Sequence, residues 1–507
     1  MQGARVNQNT ISRPTGKSEP DNSVDCVTQT NPPLHRQAAP ITLVLMLALA
    51  GSAHAEQSSD PFDVQRLRPP TPSTFWEGPR GTCAAPLQVP DPLRLADAVD
   101  IALCNNPQTR QSWASAKVQA AQVGIARSEY LPSIDAAAVL QRTQTWNVSD
   151  SGGETNLNGA LTFNYLLFDF GGRDATLEQA RQSLLAADWT HNSTLQGVLL
   201  GAVSAYYQLY ATQEAVAAVL AAEKASLNSL DATRARQRAG TATRADVLQA
   251  QTAYSQSQLN TTQAQGDAAT ARGVLANTLG LSAEQPLSIA TPPDLEASQV
   301  AQRAVAQLIE VARTRRPDLA AAQAQVRAAQ SNIKVQESAG KPTLSLFAGL
   351  GANAAAPGLD PNTGSIGLQL RIPLFTGYQS TYQILQARDQ LEVQTATRDR
   401  LAADVSLDVW RAYQDLQTQG QSLSTTEELV ASAQESYNAA LARYKAGVGT
   451  IIDLLNAQSA LASAQLQRIQ ARYRWNLAKV TLARAIGVLE PALIAERTPP
   501  QPPGAPR

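Results

Sequence analysis

The chain has 507 residues, enough for two or three domains, with a formal net charge of −1 and only 16 % charged and 5 % aromatic residues. That balance excludes the basic stripe a nucleic-acid partner needs, and three histidines and three cysteines leave little for a metal site or a catalytic triad. Ala, Gln, Ser, Thr and Leu fill long stretches, a composition of helices with small side chains and thin cores that pack as coiled coils or bundles.

Near the start, Ile41 to Ala50 is strongly apolar and leads into Gly51-Ser52-Ala53-His54-Ala55. About ten apolar residues are too few to span a bilayer, which takes roughly twenty. The run reads as a secretory signal peptide cleaved after Ala55, with residues 1–55 as leader. About forty residues with scattered basic groups, Arg36 among them, precede it, so the leader is long. No Cys follows the small-residue site, and a lipid-anchored N-terminus is not expected. Export removes Cys26, His35 and His54 and leaves Cys83, Cys104 and His191. In an oxidising compartment Cys83 and Cys104 suit a disulfide joining the Pro-rich strap, residues 56–92, to the first helix; the alternative is two free buried thiols. His191, alone on a long polar helix, is expected to be solvated.

Internal repetition decides the architecture. Asn105-Asn106-Pro107 recurs as Arg315-Arg316-Pro317, and Leu131-Pro132 as Lys341-Pro342, both at an offset of 210 (317 − 107). Arg238-Ala239-Gly240-Thr241 recurs as Lys445-Ala446-Gly447-Val448 at an offset of 207 (445 − 238). Asp246 to Gln251 matches Asp453 to Gln458, and Leu279-Gly280 matches Ile486-Gly487, at that same offset of 207. Five landmarks in order mark a tandem duplication, residues 93–285 and 303–490, with a linker at 286–302 and a Pro-rich tail at 491–507.

Proline is absent between Pro132 and Pro286 and between Pro373 and Pro491. Because proline breaks helix interiors, these stretches can be very long helices. Gly172 to Ala239, and its counterpart Tyr378 to Ala446, would each reach ~100 Å at 1.5 Å per residue. A helix of that length belongs to a coiled coil or a helical barrel. In the second copy Val409, Leu416, Leu423, Val430, Tyr437 and Tyr444 recur every seven residues, which imposes a left-handed supercoil. The first copy keeps the repeat at Leu209, Val216 and Leu230 but places Glu223 in the stripe.

Before each long helix the period changes to two. Odd positions of Leu157 to Leu167 are mostly large and apolar, and Ile366, Leu368, Leu370, Ile372 and Leu374 alternate with Gly367, Gln369, Arg371 and Pro373. Ser133 to Thr143 and Thr343 to Gly351 supply a preceding strand, joined through Gly- and Asn-rich loops at 147–156 and 353–364. Strands of about ten residues, apolar on one face and polar on the other, suit a membrane barrel. Four are too few to enclose a lumen, and open edges are not tolerated in hydrocarbon. The barrel must be shared. Two chains would give an eight-stranded barrel filled by its own side chains, whereas three would give twelve strands around a conduit.

Helix, hairpin, long helix, short helix, written twice, resembles the TolC family of outer-membrane efflux and secretion channels from about Leu93 to Leu489. The most specific local match is Tyr444-Lys-Ala-Gly-Val-Gly-Thr-Ile-Ile-Asp453-Leu-Leu-Asn456. The resemblance implies an α+β membrane protein whose homotrimer joins a twelve-stranded β-barrel in the outer membrane to a periplasmic α-helical barrel, with no catalytic or metal site and no cofactor. It places Asp453 on a ring of carboxylates at the periplasmic constriction. Asn456 stands where some members have a second acidic ring. Tyr444 and Asp246 fall where hydrogen bonds between neighbouring coils lock the closed gate, and Gly449 falls where TolC has an arginine in that lock, leaving Arg244 or Lys445 as substitutes. Implied partners are a periplasmic adaptor, docking on tips that include Ala239, Gly240, Thr241, Ala446, Gly447 and Val448, and an inner-membrane ABC-type or other exporter. Energy comes from that exporter, since no GxxxxGK[ST] motif occurs here. The absent lipid anchor and the Cys83–Cys104 staple incline the cargo toward a type I secreted protein toxin, with small-molecule efflux as the alternative. A periplasmic coiled-coil spacer without a pore explains the heptads but leaves the recurring strands unexplained.

Overall fold

A computed structural model describes residues 60–67, 89–144, 153–293, 304–355, 358–359 and 363–489. The leader, Cys83 with most of the strap, the hairpin loop tips, much of the linker and the tail lie outside the described residues. The described residues from Phe62 onward belong to one unit.

Each repeat opens with two short helices: α1 (Leu95–Asn105) and α2 (Pro107–Ser128) in the first, α5 (Val305–Arg315) and α6 (Pro317–Ala339) in the second. The break between them is the repeated X-X-Pro. Proline cannot continue the preceding helix but suits the first position of the next. Asn106 caps α2, its side chain accepting from the Gln108 amide at 2.8 Å. In the second copy Arg316 takes that place and pairs with Asp318 at 2.6 Å and Asp408 at 3.1 Å.

The hairpins follow, β1 (Ser133–Gln144) with β2 (Gly153–Phe168), and β3 (Thr343–Ala355), the two-residue β4 (Gly358–Leu359) and β5 (Thr363–Arg371). All pairs are antiparallel; β2 joins β3, and β1 and β5 are left at the edges. The register gathers most of the apolar residues on one face, with Phe347 an exception on the other. Ile134↔Phe163, Leu161↔Leu350 and Leu346↔Leu368 share one face, and Asp135↔Thr162, Asn164↔Phe347 and Ser345↔Gln369 share the other. The apolar face is bare: Ile366 is 78 % exposed and Leu140 73 %. The fourth strand ends at Arg371, short of the expected Ile372 and Leu374, because Pro373 has no amide hydrogen to donate to a ladder.

Long helices then run from each hairpin, α3 (Gly172–Arg238) and α7 (Gln379–Lys445), each of 67 residues, or ~100 Å. Each turns back into a 35-residue helix, α4 (Arg244–Thr278) and α8 (Ile451–Ala485). Val409, Leu416 and Tyr444 of the heptad stripe are buried; Leu423, Val430 and Tyr437 are half-buried. Glu223, the interruption in the first copy, accepts from the Thr261 hydroxyl of α4 at 2.6 Å.

The largest core gathers α1, mid-α3 and the ends of α4 and α8 around Leu93, Leu199, Tyr206 and Leu279. The Tyr206 hydroxyl, wholly buried, reaches the carbonyls of Leu93 (2.8 Å) and Ala290 (2.7 Å) and so ties the two ends of the first repeat together. His191 corrects the sequence reading: it is fully buried, with Nδ1 2.8 Å from the Ser112 hydroxyl of α2 and Nε2 unbonded. It continues an inward stripe of Leu184, Asp188, His191 and Leu195, spaced four, three and four, so the seam rather than residue type set its burial.

Packing between the repeats is one-sided. The second repeat docks on the first through β2–β3, α3–α6 and α3–α8. In the other direction β5 does not pair with β1, and the equivalent helix pairs α7–α2 and α7–α4 form no substantial packing within the chain among the described residues.

Candidate functional site

The two turns at the far end of the long helices are the segments that the sequence singles out. Each helix stops at glycine. Gly240 (φ 75°) and Gly447 (φ 78°) adopt the left-handed conformation that lets the next amide reach back to a helix carbonyl, Thr241 to Arg236 at 2.9 Å and Val448 to Arg443 at 3.1 Å. Ala239, Gly240, Thr241, Ala446, Gly447 and Val448, the expected docking tips, are all exposed.

The returning helices start with capping boxes. Thr243 and Thr450 are the N-cap residues, and Asp246 and Asp453, three residues on, reach back to their amides at 2.8 and 3.3 Å. Asp453 is therefore the third residue of its helix. Hydrogen bonds from the Thr243 amide and hydroxyl hold the Asp246 carboxyl below the usual carboxylate range. Bonding with Thr450, helped by the Arg443 charge, does the same for Asp453, which stays fully exposed and ionised. Asn456, one turn further, is exposed on the same face of α8.

Tyr444 packs against α3 of its own chain, and Asp246 is not its partner. The Tyr444 hydroxyl lies 3.0 Å from that of Thr233 on α3, and the Arg236 guanidinium covers its ring at 4.1 Å from the centroid. Arg236 also donates to the Tyr444 carbonyl at 2.5 Å and the Lys445 carbonyl at 3.3 Å. Tyr444, Leu230, Ala250, Ile451 and Leu454 form a small buried core between the tips. Deeper in the seam, the buried Gln458 amide donates to Ser226 at 2.9 Å and to the Ala222 carbonyl at 3.2 Å.

The structure explains the departure at Gly449. A β-carbon there would meet Arg443 Cβ at 3.0 Å and its carbonyl carbon at 3.1 Å, so a larger residue requires the turn to shift. Neither Arg244 nor Lys445 pairs with Asp246 among the described residues; the cation against Tyr444 is Arg236. Thr233 and Arg236 carry no motif, and Gln458 stood out only as the end of the repeated Asp453 to Gln458 segment. The two Thr-x-x-Asp capping boxes were missed, although their spacing is the signal that would have found them. Cys104 is disulfide-bonded, while Cys83, its expected partner, lies outside the described residues.

The fold is that of solved channels. The structure titled for the outer-membrane channel OprN superposes with a TM-score of 0.68 at 22 % identity, covering 78 % of this chain and 89 % of that one. Protein CyaE of Bordetella pertussis is 33 % identical over 82 % of this chain and 88 % of its own length. Outer membrane efflux protein BepC of Brucella suis is 28 % identical over 78 % and 85 %. Together they define the class: a duct protomer of the Gram-negative outer membrane with a large periplasmic part, and not an enzyme. The model of the outer membrane efflux protein family matches residues 98–281 and 308–488, the two repeats, and the chain belongs to that family.

Proposed function

We propose that three copies of this chain close a twelve-stranded barrel in the outer membrane, continued by a periplasmic tube of twelve helices, and that the tube is the exit duct of a tripartite export apparatus. The observation that carries this is the unfilled joint. Each contact of the second repeat on the first has an unmade counterpart, and a ring of copies fills all of them with the same geometry. The continuous apolar face of the sheet then meets lipid and the Asp135, Asn164 and Gln369 face meets the lumen. Exposed Phe168, Phe170, Phe375 and Tyr378 at the strand-to-helix junctions suit the membrane–water interface. Two copies would leave a barrel filled by its own side chains.

At the periplasmic end, Asp453 and Asn456 ring the constriction, and Tyr444 clamps neighbouring coils. Three carboxylates converging on one axis favour cations and repel one another, so the ring needs such a clamp. A periplasmic adaptor seats on the tips, and an inner-membrane ABC-type or other exporter supplies the energy. The cargo is a type I secreted protein toxin, a reading supported by the bonded Cys104 and by greater identity to CyaE than to BepC. Small-molecule efflux is the second reading, supported by the similarity to the efflux protein BepC and by the efflux family to which the chain belongs.

The test is the mass of the detergent-solubilised mature protein by light scattering, corrected for bound detergent. Three chains per particle, with ion conductance in planar bilayers, are expected. A monomer soluble without detergent overturns the barrel and favours a coiled-coil spacer.

A further inference from the structure

Midway along α8, a cavity of about 740 Å³ opens on the helical layer and is lined from α3, α4, α7 and α8. These helices pack in the order α4, α3, α8, α7. A space reached from both α4 and α7 therefore lies on the hollow side of the layer, which in the proposed tube is the lumen. Its wall is neutral: hydroxyls and amides, Thr418, Ser422, Ser463, Gln467 and Gln470 among them, with Arg474 the one charged side chain lining it among the described residues. The hydroxyl hydrogens are already spent. Thr418 donates to the Gln414 carbonyl at 2.9 Å and Ser422 to the Thr418 carbonyl at 2.8 Å, while Gln467 gives an amide hydrogen to Ser463 at 3.3 Å. Gln470 and Arg474, one turn apart on the same face of α8, make no hydrogen bond or ion pair among the described residues. Elsewhere Arg313, Arg316 and Arg400 each pair with a carboxylate of the chain itself. The guanidinium and the amide in this cavity are donors still lacking an acceptor.

We infer that Arg474 and Gln470 form a carboxylate subsite in the wall of the duct, one in each chain, for acidic groups of the passing cargo. This rests on the channel reading above and adds to it a contact for the cargo. A guanidinium binds a carboxylate through two parallel N–H···O bonds, the amide one turn away donates a third, and the neutral wall leaves the charge unopposed. The duplication sets what lies beside the subsite. Asp267, exposed on α4, holds the equivalent place in the first repeat at the offset of 207 (474 − 267), so the matching hollow at each joint between chains is acidic. Hollows of opposite sign alternate around the proposed lumen. Acidic and basic groups of one polypeptide then each find a partner, and neither is excluded by a net field.

The probes are an unstructured peptide with spaced glutamates and the same peptide with glutamines, each added to channels reconstituted in planar bilayers. Blocks by the glutamate peptide should last at least ~10-fold longer at low salt, as one charge-assisted bidentate pair implies, and lose most of that advantage between about 50 and about 500 mM NaCl. Arg474→Gln should abolish the difference and leave block by the glutamine peptide unchanged. Arg474→Lys, which keeps the charge and loses the fork, should retain part of it, and Asp267→Asn should preserve it. Glutarate is the competitor: relief of the glutamate block assigns the subsite to carboxylates from either a polypeptide or a small molecule, and block that glutarate does not relieve assigns it to a polypeptide. Equal block by both peptides, or a glutamate preference that survives Arg474→Gln, would overturn the inference. Because the cavity lies within one chain, both peptides are also titrated against the detergent-solubilised protein. A conducting trimer that fails to discriminate sinks this inference alone, whereas a non-conducting monomer that still prefers glutamate through Arg474 sinks the channel reading alone.

Discussion

Replacing Tyr444 by Phe tests whether the hydroxyl pair or the ring holds the tips together. The substitution keeps the ring beneath Arg236 and removes one oxygen, 3.0 Å from Thr233. Thr233 is not left stranded, because its hydroxyl also donates to the Ser229 carbonyl at 2.7 Å. The loss is that of one net hydrogen bond, about 1 kcal/mol, or about fivefold in the ratio of clamped to released tips. Thr233→Val removes the other partner at about the same cost, and the double variant should cost little more than either alone, a coupling of about 1 kcal/mol. Tyr444→Ala also forfeits a buried ring and its cation contact, and about 3–5 kcal/mol should release the tip almost completely. The assay is denaturant unfolding, read as the free energy of unfolding for the two single variants and the double. Additive effects of Tyr444→Phe and Thr233→Val would refute the hydroxyl pair as the clamp, as would an unchanged unfolding free energy in Tyr444→Phe.

Asp188 lies in the stripe beside His191, and burial raises its carboxyl pKa to about 6. A carboxyl raised in the folded state takes up a proton that the unfolded chain has already released. Its effect on stability is absent well below pH 4, grows unfavourable as pH rises through 4 to 6, and is complete at pH 7. Asp188→Asn should therefore raise thermal stability at pH 7.5, by about 1–2 kcal/mol after allowing for solvent screening, and not at pH 3.5; the reverse pattern in a melting series would contradict it. Tyr206→Phe leaves the Leu93 and Ala290 carbonyls without that donor and should cost about 1–2 kcal/mol in denaturant unfolding. Thr243→Ala removes an N-cap and should cost about 1 kcal/mol. The depressed Asp246 carboxyl that completes this capping box keeps its share down through the ordinary carboxylate range, so the penalty should shrink only at lower pH.

The long helices, the hairpins and the duplication were legible because each rests on a local rule: where proline falls, which period the apolar residues keep, which turn needs glycine. The recurrence of Leu279-Gly280 as Ile486-Gly487 has such a cause. A β-carbon at Gly280 would sit 2.6 Å from the Asn105 carbonyl oxygen, and one at Gly487 would sit 2.8 Å from the Arg315 carbonyl carbon. The contacts of Tyr444 were half legible. Its place on the heptad stripe required burial, but a partner 211 residues away, Thr233, belongs to a helix whose rotation only the assembled coil fixes. His191 failed for the same reason. A polar helix face and a polar residue on the seam look alike until the neighbouring helix is in place.

The duplication also makes the two joints of the ring unequal. Because α3 and α7 have equal length and lie 207 residues apart, every contact of the joint within a chain has a computable counterpart between chains. The Tyr444–Thr233 pair becomes Gln237 with Ala440, and Gln458 with Ser226 becomes Gln251 with Ala433. A buried tyrosine and its hydroxyl partner are replaced by an exposed amide opposite a methyl group. Gln251 is already committed, accepting from Arg234 of its own chain at 2.7 Å. In the proposed ring of three copies the clamp would be present at three of the six joints and absent from the other three. Tips that separate will separate along the joints between chains, each moving with α3, α4, α7 and α8 of one protomer as a unit. Cysteines at Gln237 and Ala440, oxidised across that joint, should hold the channel shut, and cysteines at Thr233 and Tyr444 within a chain should not. Opening that survives the first cross-link would show that motion passes through the clamped joint instead.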